Sequence, residues 1–237
     1  MGFHQEVPVN TKYTWCVIIL AYNEEGSLAK VVEAAVEVLQ EIAPKFSILI
    51  VNDGSRDQTG SVADELQTKD ARIRVVHHEQ NKGIGYGLRT GYTHAGGDII
   101  GMIPADGQFN ASDLRTIARY VEDYDIIATY RKQRNDSLFR MFVTMVNRVL
   151  VNLLFGVMIK DVNWVKFYKR SVLNSVRIES VSPLIESEIV IQAVRSRFRM
   201  IEIPSSSLPR MTGKARGASF KHMTRSLLDL VKLYRRL

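Results

Sequence analysis

Three observations predict an α/β fold with a mostly parallel central sheet and helices on both faces. Short apolar runs alternate with amphipathic helical patterns over more than half of the 237-residue chain, the order that builds a parallel sheet. Those runs are continuous rather than alternating, as expected of strands covered on both sides. Polar clusters follow the first, second and fourth runs. They therefore share the carboxyl edge of the sheet, where open α/β sheets bind ligands.

The elements follow in order. Trp15 to Ala21 reads as a buried strand, broken by Tyr22-Asn23-Glu24-Glu25-Gly26. A helix over Ser27 to Ile42 carries Leu28, Val31, Val32, Ala35, Val38, Leu39 and Ile42 at helical spacing, and Pro44 ends it. Phe46 to Val51 is the second strand; it runs into Asn52-Asp53-Gly54-Ser55, and a helix continues to Lys69. Arg72 to His77 is the third strand, and Asn81-Lys82-Gly83 with Gly85 and Gly87 opens the next helix. Ile99 to Ile103 is the fourth strand, stopping at Pro104-Ala105-Asp106-Gly107-Gln108. Asn110 then has the character of an N-cap, with Asp113 three residues on. Asp125 to Thr129 is the fifth strand.

The second half is less regular. Leu138 to Ile159 is long and apolar, but Arg140, Asn147, Arg148 and Asn152 argue for a surface or packed helix rather than a membrane span. A short strand near Val165 to Tyr168, a helix over Ile185 to Arg195 and a strand over Arg199 to Ile203 come next. Ser219 to Leu237 reads as an amphipathic helix with an apolar stripe of Phe220, Met223, Leu227, Leu230, Val231, Tyr234 and Leu237.

Composition narrows the functional classes. A hydrophobic content of 46% suits one globular domain with a sizeable core. The single cysteine, Cys16, makes no intrachain disulfide, so a reducing compartment fits. The amino terminus lacks a signal-peptide pattern, and a cytoplasmic location is expected, with peripheral contact to the membrane. The net charge of +7 is concentrated in the tail: from Ile201 on there are eight Lys or Arg against Glu202 and Asp229. Such a tail suits an anionic partner or a solvated helix face. No nucleic-acid-binding module is recognisable, and nucleic acid is not expected as a partner.

The chemistry lies at the strand ends. Asp106 and Gln108 offer hard oxygen ligands of the kind Mg²⁺ or Mn²⁺ takes while bridging phosphates; the same residues also suit a turn. Tyr22 can stack on a base, Asp53 can accept from a base N–H, and Asn23 and Glu24 can reach base or ribose. Their alternatives are a core-edge aromatic and a turn or helix cap. The Asn81-to-Gly87 segment has neither P-loop nor dinucleotide-binding spacing, though Lys82 can touch a phosphate. His77 and His78 are adjacent on a strand, so they point opposite ways and make poor joint metal ligands.

An ordered set of motifs resembles family 2 glycosyltransferases of the GT-A fold. It comprises Val17 to Glu25, Ile50 to Asp57, Asn81-Lys82-Gly83 with Arg89-Thr90-Gly91, Gly97-Asp98 and Ala105 to Gln108. Arg131, Asp161 to Trp164 with Lys166, Glu188, Glu202-Ile203-Pro204, Arg210 and Gly213-Lys214 extend it. The set is most similar to the polyprenyl-phosphate branch, the dolichyl-phosphate and undecaprenyl-phosphate sugar synthases. The resemblance implies an inverting hexosyl transfer from a GDP- or UDP-sugar to a polyprenyl or dolichyl phosphate at an anionic membrane surface. Ala21, Tyr22, Asn23, Glu24, Asp53, Lys82, Ala105 and Asp106 are then expected to hold the donor. Asp106 and Gln108 are expected to hold Mg²⁺ or Mn²⁺, and Arg131, Arg210, Lys214 and Arg216 to bind phosphates. Asp106, Arg131 and Glu188 become the catalytic candidates, Glu188 as the base if the acceptor is a hydroxyl.

Two positions depart from the family pattern. Pro104 replaces the first Asp of Asp-x-Asp, and Asn52 replaces the first Asp of Asp-Asp-Gly. The expected organisation is a catalytic domain over residues 1–217 and a basic amphipathic helix over 218–237. A membrane-anchoring subunit or a homo-oligomer is a further expected partner. Two alternatives remain: the same donor chemistry with a soluble acceptor, and an inactive scaffold of the same fold.

Overall fold

The structure is a computed structural model that describes residues 11–132, 138–162, 164–212 and 220–237. Seven strands form one sheet in the order β3-β2-β1-β4-β6-β5-β7. The strands are β1 (Thr14–Ala21), β2 (Lys45–Asn52), β3 (Ile73–His77), β4 (Ile99–Pro104), β5 (Ile126–Arg131), β6 (Lys166–Lys169) and β7 (Met200–Ser205). All neighbours are parallel except β6, which runs antiparallel to both β4 and β5. That single reversal leaves β5 and β7 pointing the same way as β4. The carboxyl ends of the other six strands, and the start of β6, thus meet at one edge.

Alternate residues of β1 face opposite sides, as strand geometry requires. Trp15, Val17 and Ile19 pack into one core with the helices α1 (Leu28–Ile42), α2 (Thr59–Lys69) and α4 (Asp113–Ala118). Cys16 and Ile18 pack into the other core, with α3 (Ile84–His94), α5 (Leu138–Phe155), α6 (Arg170–Ser175), α7 (Ile185–Arg195) and α8 (Phe220–Arg236). The predicted two-sided sheet is therefore present, and no helix among the described residues is long and apolar enough to cross a membrane.

Close backbone approach explains the glycines of α3. A Cβ on Gly85 would lie 2.3 Å from the Val181 carbonyl, and one on Gly87 would lie 2.3 Å from Leu20 Cδ1. These residues serve helix packing rather than a phosphate loop.

Two sequence expectations change. Asn110 makes cap-type bonds, its Oδ1 accepting from Ser112 N at 3.1 Å and its carbonyl from Asp113 N at 2.9 Å, but they close a turn ahead of α4, which begins at Asp113. Asp113 instead accepts from Ser206 N at 2.8 Å and Ser205 Oγ at 2.9 Å, a tertiary use of the carboxylate. The apolar stripe expected on α8 is divided. Leu230 is buried with Leu233, whereas Val231, Tyr234 and Leu237 are exposed. The side chains of Phe220, Met223 and Leu227 lie outside the described residues.

Candidate active site

The loops leaving β1 and β2 are zipped together before any ligand is considered. Asn23 sits at φ 54, a left-handed conformation that Asn tolerates. Its N–H donates to Ser55 Oγ at 3.0 Å, and its Oδ1 accepts from Arg56 N at 2.8 Å. Glu24 N donates to Thr59 Oγ1 at 2.8 Å, and Glu25 accepts from Gln58 N at 2.8 Å. Asn23, read as a base or ribose contact, is in the structure a loop-to-loop tie through its carbonyl.

Asp53 organises the neighbouring loop. Its carboxylate is 2% exposed and accepts from His78 Nδ1 at 2.7 Å, Asn81 Nδ2 at 2.9 Å, Lys82 N at 3.0 Å and Gly83 N at 2.8 Å. A carboxylate offers about four lone-pair sites, so Asp53 presents no open acceptor for a base N–H. It shapes the wall of the site instead. The cost of leaving such a buried charge unsatisfied explains why four donors converge on it. His77 turns away, to Asn52 Nδ2 at 2.9 Å and Asp64 Oδ1 at 3.0 Å. The exposed Lys82 side chain lies at the mouth of this loop, Tyr22 is half-buried at the end of β1, and Ala21 and Ala105 are buried beneath.

The end of β4 carries the central cluster. Asp106 is 8% exposed and Glu24 7%, and the two carboxylates are bridged by one guanidinium. Arg210 Nη1 donates to Asp106 Oδ2 at 2.7 Å, Nη2 donates to Glu24 Oε1, and Nε donates to the Thr212 carbonyl at 2.6 Å. Asp106 Oδ1 accepts from Gln108 N at 3.0 Å, which fixes the turn at Gly107. Burial raises the Glu24 carboxyl above its ordinary value, against the opposing pull of Arg210 and the Ser27 hydroxyl.

Arg210 arrives on a strap after β7. Leu208 N donates to the Gln108 carbonyl at 2.9 Å and Met211 N to the Asp106 carbonyl at 3.0 Å. Met211 covers Gly107, whose φ of 76 and close side-chain neighbour both exclude a Cβ. Sequence reasoning placed Arg210 among the phosphate binders but missed its partners, which stand 104 and 186 residues away. The glycine and the paired carboxylates were visible, but nothing local links them to the strap.

A second cation–carboxylate group lies at the same edge and is sealed. Arg131 Nε donates to Asp161 Oδ2 at 2.9 Å and Nη2 to Oδ1 at 3.3 Å. The guanidinium lies 4.7 Å from the Trp164 ring centroid. Side-chain exposures are 9% for Arg131 and 2% for Asp161. Lys166, equally buried, donates its ammonium to the Val162 and Trp164 carbonyls, both at 2.9 Å, and burial lowers its pKa. Arg131, expected as a phosphate-binding and catalytic cation, is thus engaged by the Asp161 carboxylate and stacked on Trp164. Lys214 and Arg216 lie outside the described residues.

Glu188 is also corrected. Its carboxylate is 1% exposed and accepts from Ser180 N at 2.8 Å, Glu179 N at 3.1 Å and Arg236 Nη2 at 2.6 Å. A buried, triply engaged carboxylate that ties α8 to the domain is not a base for an acceptor hydroxyl. Glu186 is buried too, accepting from Tyr92 and Tyr168 hydroxyls at 2.5 Å each. Burial beside this carboxylate pushes both phenols well above their ordinary range.

Among the described residues no group of three or more His, Cys, Asp or Glu side chains converges as a metal cage. The donor set still fits a hard divalent cation. Mg²⁺-type sites commonly use one or two carboxylates plus substrate phosphates, and the Arg210 guanidinium already stands as a cation between two carboxylates.

The family model for glycosyl transferase family 2 matches residues 16–175. Solved structures share the fold at low identity. Glucosyl-3-phosphoglycerate synthase from Mycobacterium tuberculosis, in complex with Mn²⁺, UDP-glucose and phosphoglyceric acid, has a TM-score of 0.69 at 16% identity, covering 94% of this chain and 80% of that one. A mannosyltransferase from Pyrobaculum calidifontis, in complex with GDP-mannose and Mn²⁺, has a TM-score of 0.65 at 16% identity, covering 96% and 67%. The M. tuberculosis enzyme is also known with Mg²⁺ and UDP, at a TM-score of 0.65 and 16% identity over 94% and 75%. With the family model matching residues 16–175, and Glu24, Asp53, Asp106 and Arg210 of the ordered motifs standing at the carboxyl edge of the sheet, the chain belongs to glycosyl transferase family 2 and has the GT-A fold.

Proposed function

We propose that the protein transfers a hexose, with inversion, from a GDP- or UDP-sugar to a polyprenyl phosphate. The observation that carries the donor half is the pair of nearly buried carboxylates, Glu24 and Asp106, bridged at the carboxyl edge by the partly exposed guanidinium of Arg210. The two structural neighbours named above carry UDP-glucose or GDP-mannose together with Mn²⁺. Asp106, Gln108 and the adjacent Glu24 would hold the metal here, and Pro104 removes one carboxylate from the motif. The metal, when bound, neutralises the departing nucleoside diphosphate.

In the reaction an acceptor oxygen bonds to the anomeric carbon. The bond from that carbon to the donor's β-phosphate oxygen breaks, and its electron pair leaves with the nucleoside diphosphate. Asp53 holds the 78–83 loop in shape, and the Asn23 and Glu24 backbones lock the floor of the site. Arg210 supplies a planar, permanently charged fork suited to phosphate oxygens.

The acceptor half is supported by what Glu186 and Glu188 are doing. Both carboxylates are engaged, by tyrosines and by amides with Arg236 respectively. A hydroxyl acceptor needs a base within reach, whereas a phosphate acceptor is already ionised. The second reading is a soluble phosphorylated acceptor, favoured by the phosphoglyceric acid in the M. tuberculosis neighbour.

Labelled GDP-mannose and UDP-glucose, each offered with a short polyprenyl phosphate or with 3-phosphoglycerate, separate these readings. Label in the lipid phase supports the main one. Label only in phosphoglycerate replaces it with the second, and no transfer from any donor supports the inactive scaffold.

A further inference from the structure

The adjacent histidines at the end of β3 have opposite surroundings, as neighbours on a strand do. His77 keeps 41% side-chain exposure and turns to Asn52 and Asp64. His78 is enclosed: side-chain exposure is 7% for His78 and 3% for Asp53, the carboxylate it meets. The sheet puts it there. His78 N donates to the Asn52 carbonyl at 2.9 Å, one residue beyond the pairing of Asn52 with His77 in the β2–β3 ladder. Its ring then stands between the end of β2 and the side of α3.

Both ring nitrogens are engaged. Nδ1 meets Asp53 Oδ1 at 2.7 Å, and Nε2 meets Thr90 Oγ1 of α3 at 2.9 Å. The surroundings fix the tautomer. Lys82 N also donates to Asp53 Oδ1, and Asn81 Nδ2 and Gly83 N donate to Oδ2. A carboxylate ringed by N–H donors only accepts, so Nδ1 carries the proton. Nε2 is then the acceptor, and the Thr90 hydroxyl donates to it. In a neutral imidazole the bond made by one nitrogen sets the state of the other. Donation therefore runs from Thr90 to His78 to Asp53.

Asp53 in turn holds a corner of the site. Its two amide donors, Lys82 N and Gly83 N, belong to the residues just ahead of α3. Gly83 has a φ of 91, which turns the chain into the helix. Amides at the start of a helix are a natural seat for a ligand's phosphate. Here the Asp53 carboxylate is the resident anion at those amides, and the cation this corner offers a donor is the exposed Lys82 side chain. The aim of Asp53 decides where Lys82 stands.

We infer that His78 is a positioning residue for donor binding: oriented by Thr90, it aims the Asp53 carboxylate, which sets the Lys82-Gly83 corner of the donor wall. This rests on the reading of the edge as the nucleotide-sugar site. His78 touches no reacting atom and acts through Asp53.

The test pairs UDP and GDP affinity, measured with Mn²⁺ by calorimetry, with the state of the ring, read from long-range proton–nitrogen correlation spectra. The unchanged chain should carry the His78 proton on Nδ1, and Thr90→Val should redistribute it between the two nitrogens. The amide nitrogen of an asparagine takes the place of Nδ1, and that of a glutamine the place of Nε2. His78→Asn should therefore keep the nucleotide affinity of the unchanged chain. His78→Gln and His78→Phe should lower it about tenfold, the loss of one hydrogen bond to a charged acceptor. Thr90→Val should lower it less, because the ring stays in place. His77→Gln, on the exposed neighbour, should leave it unchanged. A His78 that served packing alone would move the melting temperature in its three substitutions and leave affinity where it is. Thr90→Val keeps the ring, so its affinity and tautomer test the relay even where His78→Phe does not fold.

A proton on Nε2 in the unchanged chain overturns the inference. So does a loss in His77→Gln as large as that in His78→Gln. Nucleotide binding that every His78 and Thr90 variant retains in full removes this inference alone. An unchanged chain that binds neither nucleotide removes the donor reading and this inference with it.

Discussion

The edge of the sheet holds two cation–carboxylate groups of the same chemistry in different settings. Arg131 with Asp161 and Lys166 is sealed, stacked on Trp164 and tied to backbone carbonyls. Arg210 with Glu24 and Asp106 retains 22% side-chain exposure on the arginine and sits on a strap tied to the site by Leu208 N and Met211 N. Removing one member of a buried pair leaves an uncompensated charge, while a partly exposed pair can exchange its cation for another or for water. Identity of residue type therefore does not decide function here. Burial does: the sealed group is scaffold and the open one is the candidate site.

The largest effect should come from breaking the sealed group. Arg131→Ala should cost about 3–5 kcal/mol of stability, read as a fall in the urea midpoint. A loss under about 1 kcal/mol, with weakened phosphate binding instead, would return Arg131 to the phosphate-binding role. Next comes the open group. Asp106→Ala should lower transfer on the order of 10²–10³-fold while the chain still melts cooperatively, and metal removal with EDTA should do the same to the unmodified protein. Full activity in that variant would take Asp106 out of the mechanism.

Arg210→Gln should cost less stability than Arg131→Ala, because its guanidinium keeps 22% side-chain exposure and water can reach the carboxylates it leaves. It should raise Mn²⁺ affinity in the absence of nucleotide, because a competing cation has gone, and lower transfer. Manganese electron paramagnetic resonance reads the first effect without turnover. Unchanged Mn²⁺ affinity would mean that the guanidinium and the metal do not share the two carboxylates.

The smallest effect concerns the far edge, where Asp98 accepts from the Thr14 hydroxyl at 2.7 Å and the Thr14 amide at 2.9 Å. Those bonds hold its carboxyl below the ordinary value of 3.8. A depressed carboxyl contributes stability that is present above 3.8 and is lost as pH falls through the lower folded value. Asp98→Asn should therefore flatten the acid limb of the stability curve slightly and leave transfer at neutral pH unchanged. An identical acid limb would show that the contribution is negligible.

Much of the fold was legible because strands and helices obey local periodicity. The continuous run at Trp15 to Ala21 and the spacing of Leu28 to Ile42 fixed their elements within a residue. The cap reading at Asn110 was half right: its Oδ1 accepts from Ser112 N, but Ser206 N and the Ser205 hydroxyl claim Asp113, which the sequence had placed as its partner in the first turn. At the site, the carboxylates and their strand ends were legible, since they follow apolar runs. The roles of Asp53, Arg131 and Glu188 were not, because each is decided by donors or acceptors brought from 25 to 48 residues away. A sequence shows that a charged residue stands at an edge, but not whether other groups have already satisfied it.

The most direct test of the open site is thermal stability against a panel of UDP- and GDP-sugars, with and without Mn²⁺. A ligand that binds only the folded state raises the melting midpoint. The account predicts a metal-dependent rise with one class of nucleotide sugar, absent in Asp106→Ala. No rise with any nucleotide sugar, or a rise that Asp106→Ala retains in full, would contradict the claim that Glu24 and Asp106 mark the donor site.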